Sequence, residues 1–272
     1  MDYLITLVYK YLIVLYHLAA AAEKMANYIT SGQVNGNFQI QQILDSHFDK
    51  ASEICNEIQM IELEPIVRLL IYTSKKLVEN SIWTVTRAVN SRVTKFVGTL
   101  VDRGRGDKAL FDVLPPQRHT LAEEGLLGSS RRAVVVSLPT SSGKTMIAQF
   151  RILQALNQFD SEKGWVVYLA PTRALVNQIT RRIRRDFEPL GISVEQVSPA
   201  LEVDGIEMDL LKDENPATQF KVLITTPEKL DLMLRQGWEE KIGRPLTLVV
   251  VDEAHNIQDS NRGLKLELLL AN

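Results

Sequence analysis

A chain of 272 residues, 45% hydrophobic and 24% charged, has the composition of a folded, water-soluble protein and the length for one large or two small domains. Its formal net charge of −2 excludes a broad cationic field, so any contact with a polyanion must be local. The single cysteine, Cys55, excludes an intrachain disulfide, fits a reducing cytoplasm and reads as a small buried apolar side chain.

Tyr3 to Ala22 is nearly apolar, interrupted by Thr6, Lys10 and His17. Asp2 is the only early charge, whereas an export signal carries positive charge there. Lys10 near the middle opposes a bilayer span. The segment is expected to be a helix that is buried or faces a partner, with membrane insertion the weaker alternative. A start inside a helical pattern also suggests a piece of a longer protein.

Leu44, Phe48, Ala51, Cys55 and Ile58 alternate spacings of four and three. Val78, Ile82, Val85, Val89, Val93, Phe96 and Leu100 repeat that spacing over about six turns. Each set predicts one apolar stripe on an amphipathic helix, the second running unbroken from 78 to 100. Pro65 is placed to open a helix, and Ser31 to Asn37, with its glycines and asparagines, reads as a loop. Residues 1–113 thus read as an all-α domain. Its stripes describe packing and name no chemistry, which suits a structural role or a protein partner. A charged, glycine-containing linker at 101–108 and Pro115-Pro116 mark the boundary.

From residue 114 the pattern becomes strand–helix alternation. Strands are expected at 133–138, 165–170, 192–197, 221–225 and 246–251, and helices at 144–158, 173–187, 227–236 and 262–271. That order predicts a mostly parallel sheet with helices on both faces. Such sheets bind ligands at the carboxyl ends of their strands. Pro139-Thr140, Pro171-Thr172, Thr226-Pro227 and Asp252-Glu253 all fall just past expected strand ends.

Gly143-Lys144-Thr145 has the chemistry of a phosphate cradle. Glycine lets the backbone approach, and the amides at a helix start attract anions. Lys144 suits the β- and γ-phosphates, and the Thr145 hydroxyl suits Mg²⁺. The strict phosphate-loop pattern fails at its first position, which is Leu138. Asp252 suits Mg²⁺, partly through water, and Glu253 suits orientation and deprotonation of an attacking water. His255 is placed for a coupling contact; as a surface histidine it would have no such role. Arg181, Arg182, Arg184 and Arg185 make one helix basic, which more often means solvation than nucleic-acid contact.

Residues 114–272 resemble the first RecA-like domain of a superfamily 2 helicase of the DExH-box kind. Five segments carry the resemblance in order. Leu114-Pro115-Pro116-Gln117-Arg118 is similar to the adenine-reading segment. Pro139-Thr140-Ser141-Ser142-Gly143-Lys144-Thr145 resembles motif I. Ala170-Pro171-Thr172-Arg173-Ala174-Leu175 resembles motif Ia. Thr225-Thr226-Pro227-Glu228-Lys229 resembles motif Ib, and Asp252 to His255 resembles motif II. Ser141, Ser142 and Pro227-Glu228-Lys229-Leu230-Asp231 are similar to the superkiller-like branch.

The resemblance implies a RecA-like fold at 114–272, ATP and Mg²⁺ as cofactors, and single-stranded DNA or RNA as partner. It assigns the nucleotide to Gln117, Thr140, Ser141, Ser142, Gly143, Lys144 and Thr145, with Gln117 on the adenine edge. Catalysis falls to Lys144, Asp252 and Glu253, the metal to Thr145 and Asp252, and coupling to His255. Pro171, Thr172, Arg173, Thr226 and Pro227 would line the strand groove, where amides, hydroxyls and an arginine suit phosphate contacts. In this family a second RecA-like domain supplies arginine fingers, and residues 1–272 do not include one. The isolated chain is therefore expected to be a poor ATPase and no helicase. The competing reading is a non-catalytic module that binds nucleotide or nucleic acid without turnover.

Overall fold

The computed structural model describes residues 2–34, 39–86, 90–102, 110–123, 126–128, 133–139, 142–196, 221–237, 243–258, 263, 267 and 269. Two compact units emerge: Met1–Val89 with Val97–Gly125, and Asn90–Phe96 with Leu126–Asn272.

The first unit is helical. It comprises α1 (Asp2–Ser31), α2 (Ile40–Glu57), α3 (Glu64–Asn80), α4 (Ile82–Thr86), the C-terminal part of α5 (Ser91–Asp102), and α6 (Pro115–Arg118) with a π-helical turn at His119–Glu123. Pro65 stands in the first turn of α3, where its missing N–H costs nothing. Val14 of α1, Ala51 and Cys55 of α2 and Val67 of α3 form a buried cluster that Leu18, Ile54, Met60, Leu63 and Ile71 complete. Cys55 is buried there as a plain apolar side chain. Gly32 ends α1 at φ +64, and a Cβ on it would lie 2.4 Å from the Trp83 ring. Only glycine fits both constraints. Trp83 Nε1 then donates to Ile29 O at 3.1 Å, and the Tyr28 and Thr84 hydroxyls are 2.6 Å apart.

One helical expectation changes. The stripe from 78 to 100 is not one helix. α3 stops at Asn80, and Ser81 bridges to Asp112. Ile82 N–H donates to Phe111 O at 2.8 Å and Val113 N–H to Asn80 O at 3.0 Å, so a distant segment takes over the backbone bonds that would continue the helix. Val78, Ile82, Val85, Val93, Phe96 and Leu100 are nonetheless all buried; Val89 lies outside the described residues.

α1, expected to be buried or to face a partner, is a helix whose apolar side is largely uncovered. Leu4, Ile5, Tyr9, Leu12 and Tyr16 are each more than half exposed. Lys10 is turned toward Glu57 of α2 and pairs with it. α1 is apolar on more sides than α2 can cover. By length and composition alone, Leu4–Ser31 could cross a membrane.

The second unit is a parallel sheet between helices. Its strands are β1 (Trp165–Leu169), β2 (Val194–Gln196), β3 (Val222–Thr225) and β4 (Leu246–Val251), in the order β2-β3-β1-β4. All three pairings are parallel. Trp165, Val167, Leu169 and Leu223 point to one face and pack under Leu230 and Met233 of α9 (Pro227–Arg235). On the other side lie α7 (Lys144–Gln158), against β1 and β4, and α8 (Arg173–Phe187), against β2 and β3. Phe150 of α7 meets Phe96 edge-on at 5.2 Å, and Phe96 meets Phe187 of α8 at 5.8 Å. Gln149 donates to the buried Asp186 at 2.9 Å, cross-linking α7 and α8. The start of α5 belongs here because Asn90 binds Gln154, and Arg92 binds Leu156 O and Asp160.

The strand expected at 133–138 is absent. Residues 133–139 pair with none of the described strands, and Val135 is 93% exposed. A valine run favours an extended backbone, but without a neighbour to take its N–H and C=O groups it forms no ladder. The helix expected at 262–271 lies mostly outside the described residues, although positions 263, 267 and 269 are helical.

Candidate functional site

Register brings three strand ends together. Leu169 pairs with Thr225 on one side and Val251 on the other. Ala170 N–H donates to Thr225 O at 3.0 Å, and Asp252 N–H donates to Leu169 O at 2.9 Å. The segments after β3, β1 and β4 therefore leave the sheet side by side along one carboxyl edge: Thr226-Pro227, Pro171-Thr172-Arg173 and Asp252-Glu253. α7 ends near the start of β1, where Gly164 N–H donates to Phe159 O at 3.2 Å. Its fifteen residues span about 22 Å, so running back along β1 and β4 it begins at that same carboxyl edge.

At that start Gly143 is the N-cap, at φ +76. This left-handed backbone strains any L side chain and suits glycine. Ser142 is buried, and both its hydroxyl and its N–H bond to Pro139 O, closing a tight turn ahead of the helix. The amides of Lys144 and Thr145 have no partner within the helix and point out of its N-terminus. Both side chains are half-exposed. Thr140 and Ser141 lie outside the described residues.

Past β4 the backbone turns sharply. Glu253 has φ +52, rare for a residue with a Cβ and a mark of local strain. Its N–H donates to Asp252 Oδ1 at 3.0 Å, and its Oε2 lies 3.2 Å from His255 Nδ1. The imidazole is 72% exposed and the carboxylate 39%. Tyr168, unmarked by any motif, is 2% exposed and lies close enough to Asp252 for the two to interact. Burial first, and then the Asp252 charge, push its phenol well above the usual range, so it stays a neutral donor. The signal was available in the sequence: a tyrosine within an apolar central strand needs a partner for its hydroxyl.

The groove residues divide. The Thr172 hydroxyl caps α8 by accepting Leu175 N–H at 3.3 Å, so turn chemistry occupies one of its lone pairs. Thr226 is the N-cap of α9 but makes no side-chain cap bond, with Pro227 next to it. Pro171 is half-buried, and Arg173 is exposed. Of the basic cluster, Arg184 is held by Val194 O and Glu195 and Arg185 by Asp186, while Arg181 and Arg182 are exposed. Gln117 belongs to the helical unit, buried, with its Oε1 accepting Leu114 N–H at 3.0 Å.

The donor set suits a nucleotide-bound hard cation. Among the described residues no group of three or more His, Cys, Asp or Glu could hold a metal alone. One carboxylate and one hydroxyl, completed by phosphate oxygens, is how Mg²⁺ is usually shared between protein and nucleotide.

A family model described as DEAD/DEAH box helicase matches residues 116–272. Among individual proteins, the ATP-dependent DNA helicase Hel308 of Methanococcus vannielii is 30% identical over 163 residues, 58% of this chain and 20% of that protein. The Hachiman protein HamB of Bacillus cereus is 32% identical over 163 residues, 60% of this chain and 13% of its own length. The U5 small nuclear ribonucleoprotein 200 kDa helicase of Caenorhabditis elegans is 30% identical over 148 residues, 52% of this chain and 6% of that protein. The chain thus spans 20% or less of the length of each of these relatives. The family match takes in every loop gathered on the carboxyl edge and more than half of the chain, which therefore belongs to the DEAD/DEAH box helicase family.

Proposed function

We propose that this chain is the ATP-binding half of an ATP-dependent nucleic-acid helicase or translocase, holding Mg-ATP and the backbone of a single strand. The observation that carries this reading is the convergence of Thr226, Pro171 and Asp252 on one sheet edge, with the Gly143 helix start at the same edge.

In this reading the Lys144 and Thr145 amides receive the phosphates, and Lys144 supplies a point charge to the terminal ones. Ser142 holds the turn, and Thr140 and Ser141 complete the loop by resemblance. Thr145 and Asp252 hold Mg²⁺, which when bound offsets charge on the terminal phosphates. Glu253 orients the attacking water and takes its proton. His255 braces Glu253 from the exposed side and couples it to the neighbouring domain. Pro171, Thr172, Arg173, Thr226 and Pro227 offer amides, hydroxyls and a cation to phosphates without reading sequence. A second RecA-like domain completes turnover. The exposed apolar side of α1 favours a docking role for residues 1–113, and the setting proposed is cytoplasmic.

Calorimetric titration of Mg-ATP into the chain and into Lys144→Ala tests the nucleotide half. Binding lost in the variant is expected, and equal binding by both contradicts it. For the strand half, Arg173→Ala is expected to weaken binding of a labelled single strand and to lower the salt slope by about one phosphate contact. An unchanged slope contradicts that contact.

A further inference from the structure

Asp252 has a polar neighbour inside the sheet. β1 and β4 run parallel with Tyr168 opposite Val250 and Leu169 opposite Val251. Strand side chains alternate, so Tyr168, Val250 and Asp252 project to one face. That is the face away from α9, since Trp165, Val167 and Leu169 take the α9 side. The Tyr168 hydroxyl, carried on a side chain 2% exposed, lies near the Asp252 carboxylate at the end of β4. Asp252 Oδ1 accepts Glu253 N–H at 3.0 Å. That donor belongs to the residue at φ +52, a strained anchor.

We propose that Tyr168 is a positioning residue for Asp252: its hydroxyl, fixed in the sheet core, holds the carboxylate in the orientation that receives the divalent cation of the bound nucleotide. This rests on the nucleotide-site reading above. A phenylalanine at 168 would fill the same space and keep the strand's burial while deleting that single donor. Asp252 would then keep the Glu253 amide but lose its core-side neighbour, and a carboxylate freer to rotate pays an ordering cost when the cation binds. Tyr168 would touch neither nucleotide nor cation, acting only through Asp252.

The test is Mn²⁺ binding, read by electron paramagnetic resonance in the presence of adenylyl-imidodiphosphate, for the 272-residue chain, Tyr168→Phe, Asp252→Asn and the double variant. Thermal melting and metal-free nucleotide affinity are measured alongside. Tyr168→Phe is expected to weaken Mn²⁺ roughly tenfold, the scale of one hydrogen bond to a charged group. Its melting temperature and metal-free nucleotide affinity should match the unmodified chain. Asp252→Asn should weaken Mn²⁺ at least as much, and the double variant no further, because the two residues act as a unit. Unchanged Mn²⁺ affinity in Tyr168→Phe, with affinity lost in Asp252→Asn, overturns the proposal and leaves the nucleotide site standing. So does a melting temperature that falls in step with affinity, which would make Tyr168 merely structural. Unchanged Mn²⁺ affinity in Asp252→Asn, or no nucleotide-dependent Mn²⁺ signal from the unmodified chain, overturns the metal assignment and the proposal together.

Discussion

His255 Nδ1 lies 3.2 Å from Glu253 Oε2, across a turn in which Glu253 itself takes φ +52. The carboxylate that the reading assigns to water activation is thus held in a backbone conformation that disfavours any side chain. Strain of this kind persists where surrounding contacts enforce it, and it is common at functional sites.

Replacing Glu253 with glycine should separate stability from activity. A left-handed backbone costs an L residue about 1–2 kcal/mol, and glycine's extra freedom when unfolded offsets part of the relief. Glu253→Gly is expected to raise the melting temperature by a few degrees at most, on the order of 2–4 °C, while removing strand-stimulated ATP turnover. A fall in melting temperature would mean that the carboxylate contacts outweigh the strain.

The His255–Glu253 pair is too exposed to stabilise the fold much. At 72% and 39% exposure its contribution should stay below about 0.5 kcal/mol. His255→Ala is expected to melt with the unmodified chain and to keep its nucleotide affinity, while strand stimulation of turnover falls. Differential scanning fluorimetry and a steady-state ATPase assay check both halves. Equal stimulation in the two proteins would remove the coupling role.

Phe150 carries much of the packing on the α7–α8 side. It is fully buried, and Phe96, which it meets edge-on, in turn meets Phe187. Phe150→Ala should cost about 3–5 kcal/mol, a large share of a domain's total stability. Urea unfolding followed by tryptophan emission should show an earlier transition. A shift below about 1 kcal/mol would mean that the cavity collapses.

The helical unit should weaken in mild acid. His17 Nδ1 sits 3.1 Å from His47 Nδ1, and burial first, then the charges of His47 and Lys50, lower the His17 pKa below its usual 6.5. As pH falls through 6.5 the unfolded chain takes up the proton and the folded unit resists it. The contribution of His17 is therefore intact above that pH and is lost below it, down to the lowered folded value. Circular dichroism melts from pH 7.5 to 5.5 should show the decline, and His17→Asn should flatten it. A pH-independent melt in the unmodified chain would contradict the assignment.

Much of the site was legible because its signals are local. Apolar period and a glycine start place α7 at Lys144–Gln158 and α8 at Arg173–Phe187, the expected bounds. β4 likewise runs Leu246–Val251 as its hydrophobic run indicates. Failures came where distant chain decides. The run at 133–138 has strand composition but no partner, and the 78–100 stripe keeps its period across a break made by Phe111 and Val113. For α1, periodicity left the choice between burial and a partner open, because that choice depends on how many neighbours reach it. The nearness of Tyr168 to Asp252 depends on the β1–β4 register, a relation between residues 84 positions apart by subtraction of their numbers.

The most direct test of the central claim is Mg-ATP binding and turnover, with and without a single strand, for this chain, Lys144→Ala and Glu253→Gln. The account predicts binding lost in Lys144→Ala, and binding kept with weak strand-stimulated turnover lost in Glu253→Gln. Binding that survives Lys144→Ala, or turnover that survives Glu253→Gln, would contradict it.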